Sequence, residues 1–443
     1  MGMDIEEMTR RCLAGGTSDE ECARRLQSHI CSKKPRVSPD YALELARAVM
    51  TEVANTTGLA GDLLTFEPSG VTMGEFGVGS RGAGDFFAHR QFPKIIGTTG
   101  ASVGVDEMDD AGAVEADGTY IITTVDGMHS RLSDFPFLAG FHVTRATLRD
   151  VYVMGARPVA LLSDIHVADD GDVAKIFEYT AGVAAVSEAM GVPLVTGSTL
   201  RIGGDMVLGS RMTGCVGAVG VAEHLTARRS TVPGDVLLMT EGAGGGTIAT
   251  AALYSGFPGV VGETINLHFL RASEALLDAD ILTEIHSMTD VTNGGLRGDV
   301  YEMAETAGCR IVVDEAPLRS LINPAVREML DALNIDHLGV SLDALLVVAP
   351  PEAAKEIIRV VASAGVLMKE IGYVTEGPSD SKLLIEGELH DFLPRFRESA
   401  YTPVKKVVDT HQRDFDEMKD AVEGAAERAR QKKERVMQEY LTR

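Results

Sequence analysis

The sequence predicts an α+β protein, and two observations carry that reading. Apolar runs with strand character alternate with stretches of helical periodicity over 112–222 and again over 236–375, the two series parted by Pro233-Gly234-Asp235. Segments with helical spacing flank them at 4–60 and 409–443. A chain of 443 residues is long enough for two or three domains with cores of their own.

Taken in order, 4–60 reads as helices. Ser38-Pro39-Asp40 is an N-cap followed by proline at the first helical position, and Ala42, Leu45, Ala46, Val49 and Val53 recur at helical spacing. Such a stripe either docks on the main body or presents a partner surface. Residues 69–100 are glycine-rich, and Gly77, Gly79 and Gly82 match GxGxxG. No strand pattern feeds that match and no βαβ unit with an acidic residue follows, so it is not a dinucleotide fingerprint. A loop closing over phosphates, a dimer edge and a turn-rich linker all stay open.

Strands are expected at Tyr120–Val125, Ala160–Ile165, Pro193–Thr196 and Val207–Val221, with helices at Phe141–Met154 and Val173–Met190. The second series brings strands at Val236–Thr240, Arg310–Val313 and Leu345–Val348 and a closing strand at Ile371–Thr375. Helices are expected at Thr247–Tyr254, Arg297–Thr306, Ala325–Leu333 and Glu352–Ala364. Between the strand at 236 and the helix at 247 lies Gly242-Ala243-Gly244-Gly245-Gly246, a loop suited either to cradling phosphate or to tight packing. The end, 409–443, reads as one long helix with Phe415, Met418, Val422, Ala425, Ala429 and Val436 in a stripe.

Charge narrows the function classes. A formal net charge of −24 argues against nucleic-acid or anionic-membrane binding, since both begin with a basic footprint. No stretch reaches about 18 uninterrupted apolar residues, so no membrane span is expected. Five cysteines, no CxxC and no apolar leader lead to an expected cytoplasmic location with free thiols.

The acidic residues carry the chemistry. Asp109, Asp110, Asp126, Asp150 and Asp290 recur at the ends of apolar runs. Any one alone reads as a turn or cap residue. Several held together repel and raise one another's pKa unless a cation intervenes, and oxygen-only ligands favour Mg²⁺ shared with a nucleotide's phosphates.

The ordered set Asp109-Asp110-Ala111, Asp126-Gly127, Asp150 with Met154-Gly155-Ala156-Arg157-Pro158, Thr196-Gly197-Ser198-Thr199, Pro233-Gly234-Asp235, Met288 to Leu296 and Ile371-Gly372-Tyr373-Val374 resembles the AIR synthase superfamily. That superfamily includes HypE, selenide water dikinase and thiamine-monophosphate kinase, and the charged helical ends most resemble AIR synthase-related proteins of methanogenic archaea. The resemblance implies a helical extension at 1–65 and an AIR synthase-like N-terminal domain at 66–228 whose sheet forms a homodimer. An α/β sandwich domain at 229–386 and a charged helical tail at 387–443 complete the chain. It further implies ATP and Mg²⁺ as cofactors, with Asp109, Asp110, Asp126, Asp150 and Asp290 as metal ligands. Beside the resemblance, the residues themselves offer Gly77, Gly79, Gly82, Thr199, Asn293, Gly294 and Gly295 as nucleotide contacts and Asp110, His129 and Arg149 as the expected catalytic set. The reaction implied is phosphoryl transfer activating an acceptor. A non-catalytic scaffold that finds a protein partner through the terminal helices and a small-molecule kinase of the thiamine-phosphate type stand as alternatives.

Two departures from the family pattern bear on that expectation. Arg149 stands where kinase-like members have Asn, and Ser198 where they have Asp, an exchange that makes the local charge about two units more positive and suits an arginine clamp on phosphate or a retired site. Asp205 is a possible substitute for the lost carboxylate. HypE's terminal cysteine has no counterpart, and Cys31-Ser32-Lys33 lacks the glycines around the reactive cysteine of selenide water dikinase. His142 and Arg201 read either as site residues or as an ordinary structural histidine and a solvated loop arginine.

Overall fold

The structure is a computed structural model and describes residues 4–292, 294–398, 401–411 and 413–441. Three helices open it: α1 (Ile5–Ala14), α2 (Asp19–Lys33) and α3 (Pro39–Thr56). Asp4, Ser18 and Ser38 each accept from the backbone N–H three residues on, pairing a donor that a helix start leaves open. Leu26, Ile30, Ala46, Val49 and Val53 build a small core that Leu208 joins, and Lys34 pairs with Asp169 and Asp170. The helical unit therefore docks on loops of the first sheet. Short helices α4 (Met73–Phe76), α5 (Ala83–His89) and α6 (Phe92–Ile96) follow.

The first sheet is assembled from β1 (Gly112–Ala116), β2 (Thr119–Gly127), helix α7 (Pro136–Val153), β3 (Arg157–Val167), helix α8 (Ala174–Met190), β4 (Leu194–Arg201) and β5 (Met212–Ala222). Its strand order is β1-β2-β5-β3-β4, with β3–β4 parallel and the other pairs antiparallel. Side chains alternate across a strand. On β2, Ile122 is wholly buried and Val125 is 66% exposed. One face packs on α7 and α8; the other leaves Val125, Leu162, Leu200 and Val221 uncovered.

The second unit runs β6 (Val236–Thr240), α9 (Gly246–Ser255), α10 (His268–Asp278), β7 (Ser287–Val291), α11 (Gly295–Ala307), β8 (Arg310–Asp314), α12 (Glu315–Leu318), α13 (Pro324–Ala332), β9 (Ala344–Ala349), α14 (Pro351–Ser363), β10 (Met368–Thr375), β11 (Ser381–Ile385) and β12 (Glu388–Asp391). The strand order is β12-β11-β8-β10-β6-β9-β7. Every residue of β6, β7 and β9 is buried, as strands covered on both faces require. Leu238, Leu345 and Val347 pack with α10 and α14, whereas Leu237, Met239, Leu346 and Val348 pack with α9, α11 and α13. The first of these layers is continuous with the core beneath the first sheet, through Val143, Leu148 and Val151 of α7.

The tail carries α15 (Pro403–Asp409) and α16 (Phe415–Val436). The sequence pattern gives no expectation for β1, β7 or α10, and it differs from the structure at further places. The strand expected from Val207 starts at Met212, because Gly209 turns at φ +122°. The strand at 371–375 is not the last, since β11 and β12 follow. The long helix expected over 409–443 begins later, at Phe415, because Asp414 caps its start by accepting from Glu417 N, and a separate short helix, α15, precedes it. No helix among the described residues is long and apolar enough to cross a membrane.

Candidate functional site

Helix α7 places the centre of the site. Arg145 and Arg149 stand four residues apart, hence on one face one turn apart, and both are buried. Both guanidinium groups pair with Asp343, and Arg149 Nε also lies 3.2 Å from Asp290 Oδ2. Arg145 further donates to the carbonyls of Thr264, Asn266 and Gly244. The helix of the first domain is thereby tied to loops of the second by charge-assisted hydrogen bonds.

A cavity of about 610 Å³ opens beside these arginines. Asp109, Asp110, Asp126, Asp150 and Asp290 all line it, with His129, Arg149, Arg228 and Glu302. The five carboxylates are not equivalent. Asp109 accepts from the backbone N–H groups of Asp110 and Arg228, and Asp110 accepts from Arg228 NH2 at 2.5 Å and Thr289 Oγ1 at 2.7 Å. Arg228, fully buried, also reaches Glu302 at 3.4 Å and the Met108 carbonyl. Asp109 and Asp110 thus form a packed arginine–carboxylate cluster.

Asp126 and Asp150 sit apart from it, and no ion pair holds either among the described residues. Asp150 accepts from Thr124 Oγ1 at 2.8 Å. Burial, then the charges of Asp126, Asp290 and Asp110, raises its carboxyl well above the usual range against the pull of Arg149. Burial raises Asp126 as well, and pushes Asp109 and Asp290 up to about 6, with Arg228 and Arg149 respectively opposing. Like charges held together out of water in this way favour a bound cation.

Among the described residues no three His, Cys, Asp or Glu side chains are grouped to hold a metal ion directly. The all-oxygen donors nonetheless suit Mg²⁺, which keeps its waters and needs one or two carboxylates beside phosphate oxygens. Asp126 and Asp150, with Asp290 next to Arg149, are the residues that fit it. Gly245, Gly246 and Thr247 also line the cavity, at the start of α9, where no side chain caps the helix. Open backbone N–H groups at a helix N-terminus suit an anion.

The remaining expected residues fall elsewhere or play other parts. His129 Nε2 lies 2.7 Å from Tyr401 Oη and Nδ1 3.1 Å from Thr250 Oγ1, so both ring nitrogens are engaged. Burial, with Lys405 and Arg131 adding repulsion, lowers its pKa to about 4, which leaves a neutral ring and no free general base. His142 is likewise held neutral by burial. Gly77, Gly79 and Gly82 are not in the cavity wall. A Cβ on Gly82 would meet the Arg395 carbonyl at 2.4 Å, so that glycine serves close packing. Thr199 lies exposed on β4 opposite Ile165, away from the cavity. Arg201 pairs with Asp169 and Asp205 on the surface, so neither Arg201 nor Asp205 joins the site. Gly294 and Gly295 turn the chain into α11 at φ +107° and +64°, Gly295 against the Leu338 carbonyl. Asn293 lies outside the described residues.

Arg228, Glu302 and Asp343 were not found from the sequence. The available signal was weak: Arg228-Arg229 stands just ahead of Pro233-Gly234-Asp235, and Asp299 and Glu302 share a face of the helix that also carries Leu296, Val300 and Met303.

Comparison with known proteins gives a consistent picture. The family described as AIR synthase related protein, N-terminal domain, matches residues 108–222, and the corresponding C-terminal domain matches residues 232–383. The chain is 50% identical over 449 residues to the uncharacterized protein MJ1416 of Methanocaldococcus jannaschii, covering 98% of both. It is 34% identical over 233 residues to the selenide, water dikinase of Geobacter metallireducens, covering 51% of this chain and 65% of that protein. The crystal structure of hydrogenase maturation protein HypE in complex with ATP is similar in fold, with a TM-score of 0.55 at 18% identity over 66% of this chain and 90% of that one.

Proposed function

The chain belongs to the AIR synthase related family, and from that premise we propose that it binds Mg²⁺–ATP in the cavity and passes a phosphoryl group to an acceptor, activating it. The observation that carries this reading is the pairing, in one cavity, of cation-hungry carboxylates with anion-ready backbone. Asp126 and Asp150 are held without an ion pair among the described residues and raised by burial, so that a cation would favour their charged form, and the start of α9 lines the same space. Mg²⁺, when bound, supplies charge neutralisation on the phosphates. The chain's own groups do the rest. Asp126 and Asp150, with Asp290 beside Arg149, would hold the cation in part through its waters, the first turn of α9 would orient phosphate oxygens, and Arg149 would add a fixed positive charge beside them. Phosphoryl transfer needs positioning more than covalent help from the protein, so a neutral, fully engaged His129 does not count against it.

The uncovered face of the first sheet, with Val125, Leu162, Leu200 and Val221, supports a homodimer built on that face. In keeping with its free thiols, the protein is read as cytoplasmic.

A second reading is favoured by the arginines. Arg228 and Arg149 already compensate several of the family's carboxylates, as they would in a scaffold that has given up turnover. Calorimetric titration with a non-hydrolysable ATP analogue, with and without Mg²⁺, tests the main reading, followed by assay of ADP release. Mg²⁺-dependent binding that Asp150→Asn removes is the expected result. Binding that ignores both Mg²⁺ and the substitution would favour the scaffold, and no binding at all would overturn the nucleotide reading.

A further inference from the structure

Two segments outside the matched family domains clasp each other at the cavity. Residues 73–96 contribute Arg81, His89 and Phe92 to its wall. The tail grips that segment from outside. Ala83 N donates to the Arg395 carbonyl at 2.8 Å, and Arg397 NH2 donates to the carbonyls of Gly74 and Glu75, 2.6 Å each. Phe415 of α16 packs on Phe76, Phe87 and Phe396 with ring centroids 5.7, 6.4 and 5.0 Å apart. Farther along α16, Lys433 donates to the Ile95 carbonyl.

Arg81 is the residue this clasp orients. Its backbone is left-handed, φ +47°, an uncommon conformation for a residue with a side chain. Asp85 holds it there by accepting from Gly79 N and Arg81 N at 3.0 Å each. The Arg81 side chain then packs on Gly294, where a Cβ would come within 3.1 Å of Arg81 Cβ, and its guanidinium lies 3.8 Å from Glu302 Oε2. Among the described residues Glu302 Oε1 is buried with no hydrogen-bond partner. A guanidinium presented to a cavity that also holds open helix N–H groups is placed for a phosphate.

We propose that residues 73–96 are a lid over the cavity, that Arg81 is the lid's contact to the polyphosphate of a bound nucleotide, and that the tail from Arg395 onward is the latch that holds the lid in place. The ligand part of this rests on the nucleotide reading above; the latch does not. Gly70 and Gly97, both left-handed at φ +73° and +81°, bracket the segment and suit hinges.

The test uses the full chain and two kinds of variant. Arg397→Met weakens the latch without touching the cavity wall, and hydrogen exchange of the ligand-free protein should quicken in 73–96 while β6 and β9 keep their protection. Unchanged exchange in 73–96 overturns the latch. Phe415→Ala loosens the same latch by another side chain and decides the matter if Arg397→Met does not fold. Arg81→Met is titrated with Mg²⁺ and either tripolyphosphate or a non-hydrolysable ATP analogue. Loss of about ten- to hundredfold in affinity for both probes is expected for a lost charge-assisted contact. Wild-type affinity in Arg81→Met removes Arg81 from the site. Failure of the unaltered protein to bind either probe removes the nucleotide reading and Arg81's role together, and the exchange result still decides the latch.

Discussion

The Arg149 guanidinium stands between two buried carboxylates, Nε 3.2 Å from Asp290 and NH1 paired with Asp343. Removing one partner from a buried ionic group leaves the others uncompensated. Arg149→Asn is therefore expected to lower stability by about 3 kcal/mol, read by urea unfolding. Where Asp290 takes part in holding Mg²⁺, added Mg²⁺ restores part of that loss in the variant. Equal loss with and without Mg²⁺ would mean that the arginine's role is architectural alone.

Asp150→Asn is expected to act in two directions at once. Asp150 is raised well above the usual carboxylate range by burial and by three neighbouring aspartates. An amide can still accept from Thr124, but it carries no charge to desolvate. The variant should melt at a higher temperature without ligand and lose Mg²⁺-dependent nucleotide binding, a trade of function against stability. A lower melting temperature would show that the carboxylate is compensated.

Acid sensitivity has a defined window. His129 falls from 6.5 to about 4 on folding, so below pH 6.5 the unfolded chain takes up a proton that the folded chain refuses. Stability then falls as pH drops from 6.5 towards about 4. His142, held further down, adds in the same direction. His129→Gln, which keeps groups able to meet Tyr401 and Thr250, should flatten this slope, measured by denaturant unfolding across the window. An unchanged slope would assign it to other groups.

Two glycines of one motif should respond differently. Gly82→Ala drives a Cβ to within 2.4 Å of the Arg395 carbonyl, a backbone atom, and is expected to cost about 3 kcal/mol. Gly79→Ala meets nothing within 4 Å at φ +80° and should cost about 1 kcal/mol of backbone strain. Thermal unfolding of the pair separates a packing role from a merely conformational one.

What could be read from the sequence was what is locally determined. Ser38-Pro39-Asp40 announced a helix start because its cap bond, Tyr41 N to Ser38 Oγ at 3.2 Å, is made within four residues. The strand pattern located β6 and β9 because burial on both faces leaves a continuous apolar run. Strands β11 and β12 went unread: both are short, β12 is an exposed edge strand with three polar residues in four, and β11 is paired between it and β8. The five aspartates were legible as a set, but their division into a packed cluster and an uncompensated group was not. That division is imposed by Arg228 and Asp343, whose partners lie 118 residues away in one case and on another domain's helix in the other. Gly82 of the glycine motif lies outside the cavity wall and packs on the tail, a role hard to tell from sequence because close packing and close approach to phosphate ask for the same residue.

The core layer shared by the two sheets has a thermodynamic consequence. Although the family comparison divides the chain at about residue 230, Leu148 and Val151 of α7 belong to the same buried layer as Leu345 and Val347 of β9. Neither half can melt without exposing the apolar floor of the other and separating Arg145 from Asp343. Calorimetry should accordingly record the two family domains as a single cooperative transition, with the N-terminal three-helix unit, which has a core of its own, free to melt ahead of it.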